Sequence, residues 1–255
     1  MTIQELYTRL DAAYPKSLSC DWDNDGIMVC ADATKEVQRV LVALDANEKA
    51  LAYAVENDFD VVVSHHPMLF RGLRSVSCGS VPGRHTITAL QHGITVLSFH
   101  TRLDAAPGGV NDALCAALGL TANGSFGDDE APTLGRLATF PKALSAMEAA
   151  EQIKAALGCT AVRLNGDPAK QVQRLAVCGG DGKDFIYPAL LAGADIFLTG
   201  DAGYNMAADG AEDGLVTVEA GHYHTEAPVC AVLAKMIRSM GVYVEICNSC
   251  SYTMA

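Results

Sequence analysis

Asp60-Val61-Val62-Val63-Ser64-His65-His66-Pro67 is the stretch on which the fold turns. Three β-branched residues carry a buried strand to its end, and Pro67, with no N–H to donate, stops it from continuing as a central ladder partner. The two histidines therefore stand at a strand's carboxyl edge, where ligands collect in α/β sheets. A single buried histidine is ordinarily a hydrogen-bonded core residue. Two in succession can both face a cleft here because the chain leaves the pleat at that point.

Outward from this stretch the pattern alternates helices and strands. Apolar periodicity predicts helices over 3–13, 48–56, 87–92 and 110–118, and strands over 39–44 and 94–99, the latter delivering His100 and then Asp104. Asp21-Trp22-Asp23-Asn24-Asp25-Gly26 reads as a polar turn before apolar Ile27-Met28-Val29. Gly124 to Asp129, polar and glycine-rich with Pro132 beyond, is the best boundary, which divides the chain into an N-terminal half, 1–126, and a C-terminal half, 127–255. In the second half strands are expected over 134–140, 161–164, 174–178, 195–199, 215–218 and 242–247, and helices over 144–157, 187–192 and 227–240.

The second half reads as a diverged copy of the first. Asp32-Ala-Thr-Lys-Glu-Val-Gln-Arg-Val40 aligns with Asp167-Pro-Ala-Lys-Gln-Val-Gln-Arg-Leu175, and Asp60–His66 falls on Asp195–Asp201 at the same offset with no gap between the blocks. His66 thus has Asp201 as its counterpart, and Ser64 has Thr199. Further on, His100-x-x-x-Asp104 pairs with His222-x-x-x-Glu226. The expected fold class is α/β, two related domains from an internal duplication. If the halves face each other across a pseudo-twofold axis, His65, His66, Asp104, His222 and Glu226 converge on one cleft, with His100 and Asp201 nearby.

Imidazole and carboxylate donors without thiolate suit Zn, Fe, Mn or Co. Five such side chains exceed the needs of one tetrahedral ion that keeps a position open for water, so two divalent ions are expected. Asp104 and Glu226 also have a plainer reading, as acids favouring a helix start.

Composition narrows the partners. Half of the 255 residues are hydrophobic and 19% are charged, as in a globular protein, and the net charge of −12 argues against duplex nucleic acid. Met1 to Leu10 has the pattern of an amphipathic helix, unlike a secretory signal, and no apolar run reaches the roughly 18 residues of a membrane span. Nine scattered cysteines fit reduced thiols, so the expected location is the cytoplasm. Cys247-Asn-Ser-Cys250, the one Cys-x-x-Cys, has no second pair at zinc-ribbon spacing.

Ser64-His-His-Pro67, His100-Thr-Arg-Leu-Asp104 with Gly108-Gly-Val-Asn-Asp112, and Gly221-His-Tyr-His-Thr-Glu226 together resemble the Nif-three-like dinuclear metal family, whose members carry the name GTP cyclohydrolase 1 type 2 homolog. Asp23-Asn-Asp-Gly26 and Thr199-Gly-Asp201 fit that family's turns. The resemblance implies that His65, His66, Asp104, His222 and Glu226 are the metal ligands, Glu226 or Asp104 bridging, and that the chain forms a toroidal homohexamer. Some relatives carry a long insertion between the halves, which is absent here.

The resemblance also implies a small-molecule substrate such as GTP. Metal-activated hydroxide would attack the purine ring and release formate, with His100 shuttling a proton, orienting water or supporting a ligand. No Walker-type loop is present, and Arg71, Arg74, Arg84 and Arg102 are the cations near the motifs. Two alternatives remain at this point. One is a metal-dependent phosphoesterase, although Asp-x-His with a later Gly-Asn-His is missing; the other is a non-catalytic, ring-shaped metal-binding protein.

Overall fold

Thr2 opens the fold. Its hydroxyl accepts from the Glu5 N–H and the Glu5 carboxylate accepts from the Thr2 N–H, a capping box that starts α1 (Ile3–Ala13). The structure, a computed structural model, describes residues 1–252. It divides into two compact units: Met1–Leu103 with Cys230–Ser249, and Asp104–Val229 with the residues after Ser249.

The first unit contains β1 (Gly26–Val29), β2 (Arg39–Asp45), α2 (Glu48–Glu56), β3 (Val61–His66), α3 (Val81–Gln91), β4 (Thr95–Ser98) and the start of α4 (Thr101–Ala105). Its sheet runs β1-β4-β3-β2 and ends in β11 (Tyr243–Cys247), a strand from far along the chain that lies parallel to β2. β2, β3 and β4 are mutually parallel, and β1 is antiparallel on the far edge. Val40 to Leu44 and Val61 to His65 are buried without interruption, as continuous apolar strands of a parallel sheet should be. Leu41, Leu51, Phe59, Val62 and Val96 centre one core of this unit.

The second unit contains α5 (Val110–Ala117), β5 (Gly124–Phe126), β6 (Gly135–Ser145), α6 (Ala146–Leu157), β7 (Arg163–Asn165), β8 (Gln171–Asp181), α7 (Ile186–Leu191), β9 (Ile196–Asp201), α8 (Tyr204–Glu212), β10 (Val216–Glu219) and α9 (His222–Glu226). The sheet order is β5-β6-β8-β9-β10-β7, with β8, β9 and β10 parallel and the outer pairings antiparallel. Leu114, Phe140, Ile153, Leu175 and Leu198 belong to its core. α10 (Pro228–Ser239) then leads the chain back to β11.

The aligned blocks of sequence do the same local work in each unit. Asp60 Oδ2 accepts from the N–H groups of Gln38 and Arg39, at 2.8 and 3.0 Å. Asp195 Oδ2 accepts from those of Gln173 and Arg174, at 2.9 and 2.8 Å. Val40 pairs with Val61, and Leu175 with Ile196. Each aspartate ties the start of one parallel strand to the start of the next.

Besides the short α4, β5 and α9, where no helix or strand is expected, three elements differ from expectation. α3 begins at Val81, earlier than 87, because Ser80 caps it and Pro82 sits in the first turn, where its missing N–H costs nothing. β6 runs past Pro141 because the ladder with β8 shifts register between Thr139 and Leu144. α8, with its polar sequence and Gly210, has no counterpart among the expected helices. The division expected at 126/127 lies inside the second unit, between β5 and β6, which pair with each other. Among the described residues no helix is long and apolar enough to cross a membrane.

Candidate metal centre

In the first unit β3 delivers His65 and His66. The His65 Nδ1–H donates to the Phe99 carbonyl at 2.9 Å; a carbonyl can only accept, so the neutral ring keeps its lone pair on Nε2. His66 Nδ1 lies 2.8 Å from Oδ1 of Asp45, its neighbour across the β2–β3 ladder. His100 follows β4, and its Nδ1 lies 2.9 Å from Asp23 Oδ1. One ring nitrogen from each of His65, His66 and His100 lies within 4.8 Å of the other two.

The turn before β1 anchors this cluster. Asp23 Oδ2 accepts from the Thr101 N–H at 3.0 Å and from its hydroxyl at 2.6 Å. Burial pushes the Asp23 carboxyl up, but the hydrogen bonds from His100 and Thr101 outweigh it and leave the pKa at about 2. Asp25 is gripped by Arg102, Nε to Oδ2 at 2.9 Å and Nη2 to Oδ1 at 3.0 Å, and also by Lys16 and Ser19. Burial again raises the Asp25 carboxyl and the Arg102 contacts bring it below its ordinary value. Burial opposes the Arg102 charge, yet Asp25 holds its pKa above the usual value. Arg102 also donates to Asp11 and to the Tyr14 carbonyl, and its side chain is fully buried. It is a structural cation, and the expectation that it could meet a substrate's phosphates is corrected.

In the second unit His222 opens α9. Its Nδ1 lies 2.7 Å from Asp201 Oδ2 at the end of β9, and its Nε2 lies 3.1 Å from Glu226 Oε2, one helical turn on. Glu226 and Asp104 are both buried. Burial, reinforced by the charges of Asp104 and Glu226, pushes the Cys178 thiol well up, so it stays protonated and is a poor metal donor. Gly180, at the end of β8, has φ of 66°, and a Cβ there would lie 2.1 Å from Glu226 Oε1. At Gly200 a Cβ would lie 2.6 Å from the His222 Cα. These glycines let two strand ends approach the histidine–glutamate pair.

All four histidines thus share one device: Nδ1 is held by a carboxylate or a carbonyl, which aims Nε2 outward. Metal-ligating histidines are held in this way. With two buried carboxylates and no thiolate, the donors fit Zn, Fe, Mn or Co. His65 and His66 meet His100 in the first unit; Asp104, His222 and Glu226 belong to the second. Asp201 proves to be the residue that orients His222. Asp45, Asp23 and Gly180 were not singled out from sequence. Cys178-Gly179-Gly180 offered a signal, a glycine pair ending a strand, but Asp45 offered none. Cys247 and Cys250 are half-buried free thiols.

Known proteins share this chain's sequence and fold. A GTP cyclohydrolase 1 type 2 homolog of Clostridium perfringens is 30% identical over 243 residues, covering 93% of this chain and 92% of that protein. A protein of the same name from Clostridium acetobutylicum is 28% identical over 254 residues, covering 96% and 94%. The crystal structure of a Staphylococcus aureus hypothetical protein superposes with a TM-score of 0.91 at 26% identity, covering 100% of this chain and 99% of that one. The profile of Duf34/NIF3 (NGG1p interacting factor 3) matches residues 1–253, and the chain belongs to that family.

Proposed function

We propose that this chain is a dinuclear metal-dependent hydrolase acting on a purine nucleotide, built from two related halves with the metal site in the cleft between them. The shared anchoring of His65, His66, His100 and His222 through Nδ1 carries the reading. The name GTP cyclohydrolase 1 type 2 homolog, borne by its relatives, supports the substrate class. The matched Asp60 and Asp195 contacts support the duplication.

His65, His66, Asp104, His222 and Glu226 would hold the ions. Divalent ions there would supply Lewis-acid polarisation and lower the pKa of a water. Asp45 and Asp201 fix the tautomer and ring plane of His66 and His222. His100, fixed by Asp23, is the residue that gives or takes a proton at Nε2. The active form is a homo-oligomer; the exposed apolar side chains of Leu191 and Tyr204 support an assembly surface.

Elemental analysis of protein purified without chelator, followed by a formate-release assay with GTP on the same sample, tests this reading. About two ions per chain and formate release that stops on chelation are expected. Metal without formate release from GTP overturns the substrate class, and trace metal overturns the centre.

A further inference from the structure

Beside the histidines of the first unit lie two aromatic rings that the core does not use. Trp22 is 56% exposed and Phe70 is 47% exposed, yet they touch each other, with centroids 6.1 Å apart and planes at 67°. Each also meets His100 edge to face, Trp22 at 6.2 Å and Phe70 at 6.1 Å. Scattered single aromatics on a surface need no explanation, but a contiguous corner of rings does. Its two loops are fastened together, because the Asn24 side-chain amide donates to the Leu69 carbonyl. A solvent-facing corner held in this way keeps ring faces free for another ring at little ordering cost.

Phe70 also lines a cavity of about 500 Å³ whose wall includes Arg71 and Arg74. Neither arginine forms an ion pair among the described residues, on a chain whose net charge is −12. In so acidic a protein, two uncommitted guanidinium groups beside a cavity are a local site for an anion.

Resting on the hydrolase reading above, we propose that Trp22 and Phe70 form the ring-binding subsite and that Arg71 and Arg74 bind the anionic tail of the same ligand. The ligand class is a planar heteroaromatic ring bearing phosphates. The ring stacks in the aromatic corner and meets His100 at its edge. His100, in turn, lies with its centroid 5.3 Å from that of His65 and 5.8 Å from that of His66. The subsite thereby seats the ring against the one histidine assigned a proton-transfer role, while the phosphates lie along the Phe70–Arg74 loop.

Trp22 is the only tryptophan of the chain, so intrinsic tryptophan fluorescence reports on this corner alone. Full-length protein as purified is titrated with guanosine, tripolyphosphate and GTP. Guanosine and GTP are expected to quench Trp22 saturably. Phe70→Ala weakens both by roughly five-fold or more, the ordinary loss of one base–aromatic stack. The pair Arg71→Ala and Arg74→Ala weakens GTP and tripolyphosphate and leaves guanosine unchanged. Both loops are exposed, so the variants keep the fold, which circular dichroism verifies. No saturable quench by guanosine, or equal affinity in Phe70→Ala, overturns the stack; unchanged GTP affinity in the double arginine variant overturns the anion site. Binding without formate release leaves the subsite standing and overturns the purine-ring hydrolysis. Formate release with a KM indifferent to Phe70→Ala does the reverse.

Discussion

A hydrogen-bond acceptor behind each imidazole is the smallest unit of this site, a carboxylate for His66, His100 and His222 and the Phe99 carbonyl for His65. Asp45 and Asp201 lie on the Nδ1 side of His66 and His222, so their loss leaves every proposed ligand in place while freeing two rings to turn. Asp45→Ala and Asp201→Ala should each lower metal affinity about 10- to 100-fold with the fold intact, read by metal titration beside circular dichroism. Asp23 makes a prediction about acid. Its folded pKa of about 2 lies below the ordinary 3.8, so its stabilisation is complete above the ordinary value and is lost as pH falls toward the folded one. Urea unfolding of the wild type should therefore weaken across that window, and Asp23→Asn, less stable from the start, should show a shallower fall. Arg102 shows the cost of a stranded charge: Asp25→Ala should destabilise by about 3–5 kcal/mol. A change under 1 kcal/mol in denaturant titration would mean that Asp11 and the Tyr14 carbonyl satisfy Arg102 without Asp25.

At the level of elements each cluster is made of element ends. In the first unit β3 stops at His66; in the second β8 stops just past Gly180, β9 stops at Asp201 and α9 starts at His222. Gly180→Ala tests the fit, since the methyl would displace the Glu226 carboxylate and force a side chain onto a left-handed backbone. The expected outcome is a loss of about 1 kcal/mol in stability and a metal occupancy well below wild type by elemental analysis. The strands β2, β3, β9 and β10 were legible in the sequence because buried parallel strands read as near-continuous hydrophobic runs. α1 and α2 showed their apolar spacing, and the structure adds their caps, Thr2 and Asn47. α8 was hidden because Gly210 and its acidic residues mask the period, and the first turns of α3 because Pro82 and Gly83 imitate a turn. Of the candidate site, His65 and His66 stood out in the sequence as adjacent histidines at a strand's end, and Asp104, His222 and Glu226 because His100-x-x-x-Asp104 is echoed by His222-x-x-x-Glu226. Asp45 and Asp23 could not, since their role depends on which strand lies alongside or which loop folds back, and neither is written locally.

On the scale of the whole molecule, the surface of the second unit carries a clear sign. Leu191 and Tyr204 are 87% and 80% exposed, on α7 and the start of α8. If another copy covers them, Leu191→Asp with Tyr204→Asp should shift the mass measured by light scattering toward the monomer. A monomeric wild type would refute the proposed assembly.

The path of the chain through its sheets also governs how the protein is born. β11 is drawn from residues 243–247 to complete a sheet whose other strands end by residue 98, while every strand of the second sheet lies between 124 and 219. During synthesis the second sheet can close while the first still waits, with β2 as an uncovered edge, for a strand that leaves the ribosome only after the whole second sheet. A chain halted before Tyr243 would keep that sticky edge permanently, so translation that stalls there should feed aggregation or chaperone capture.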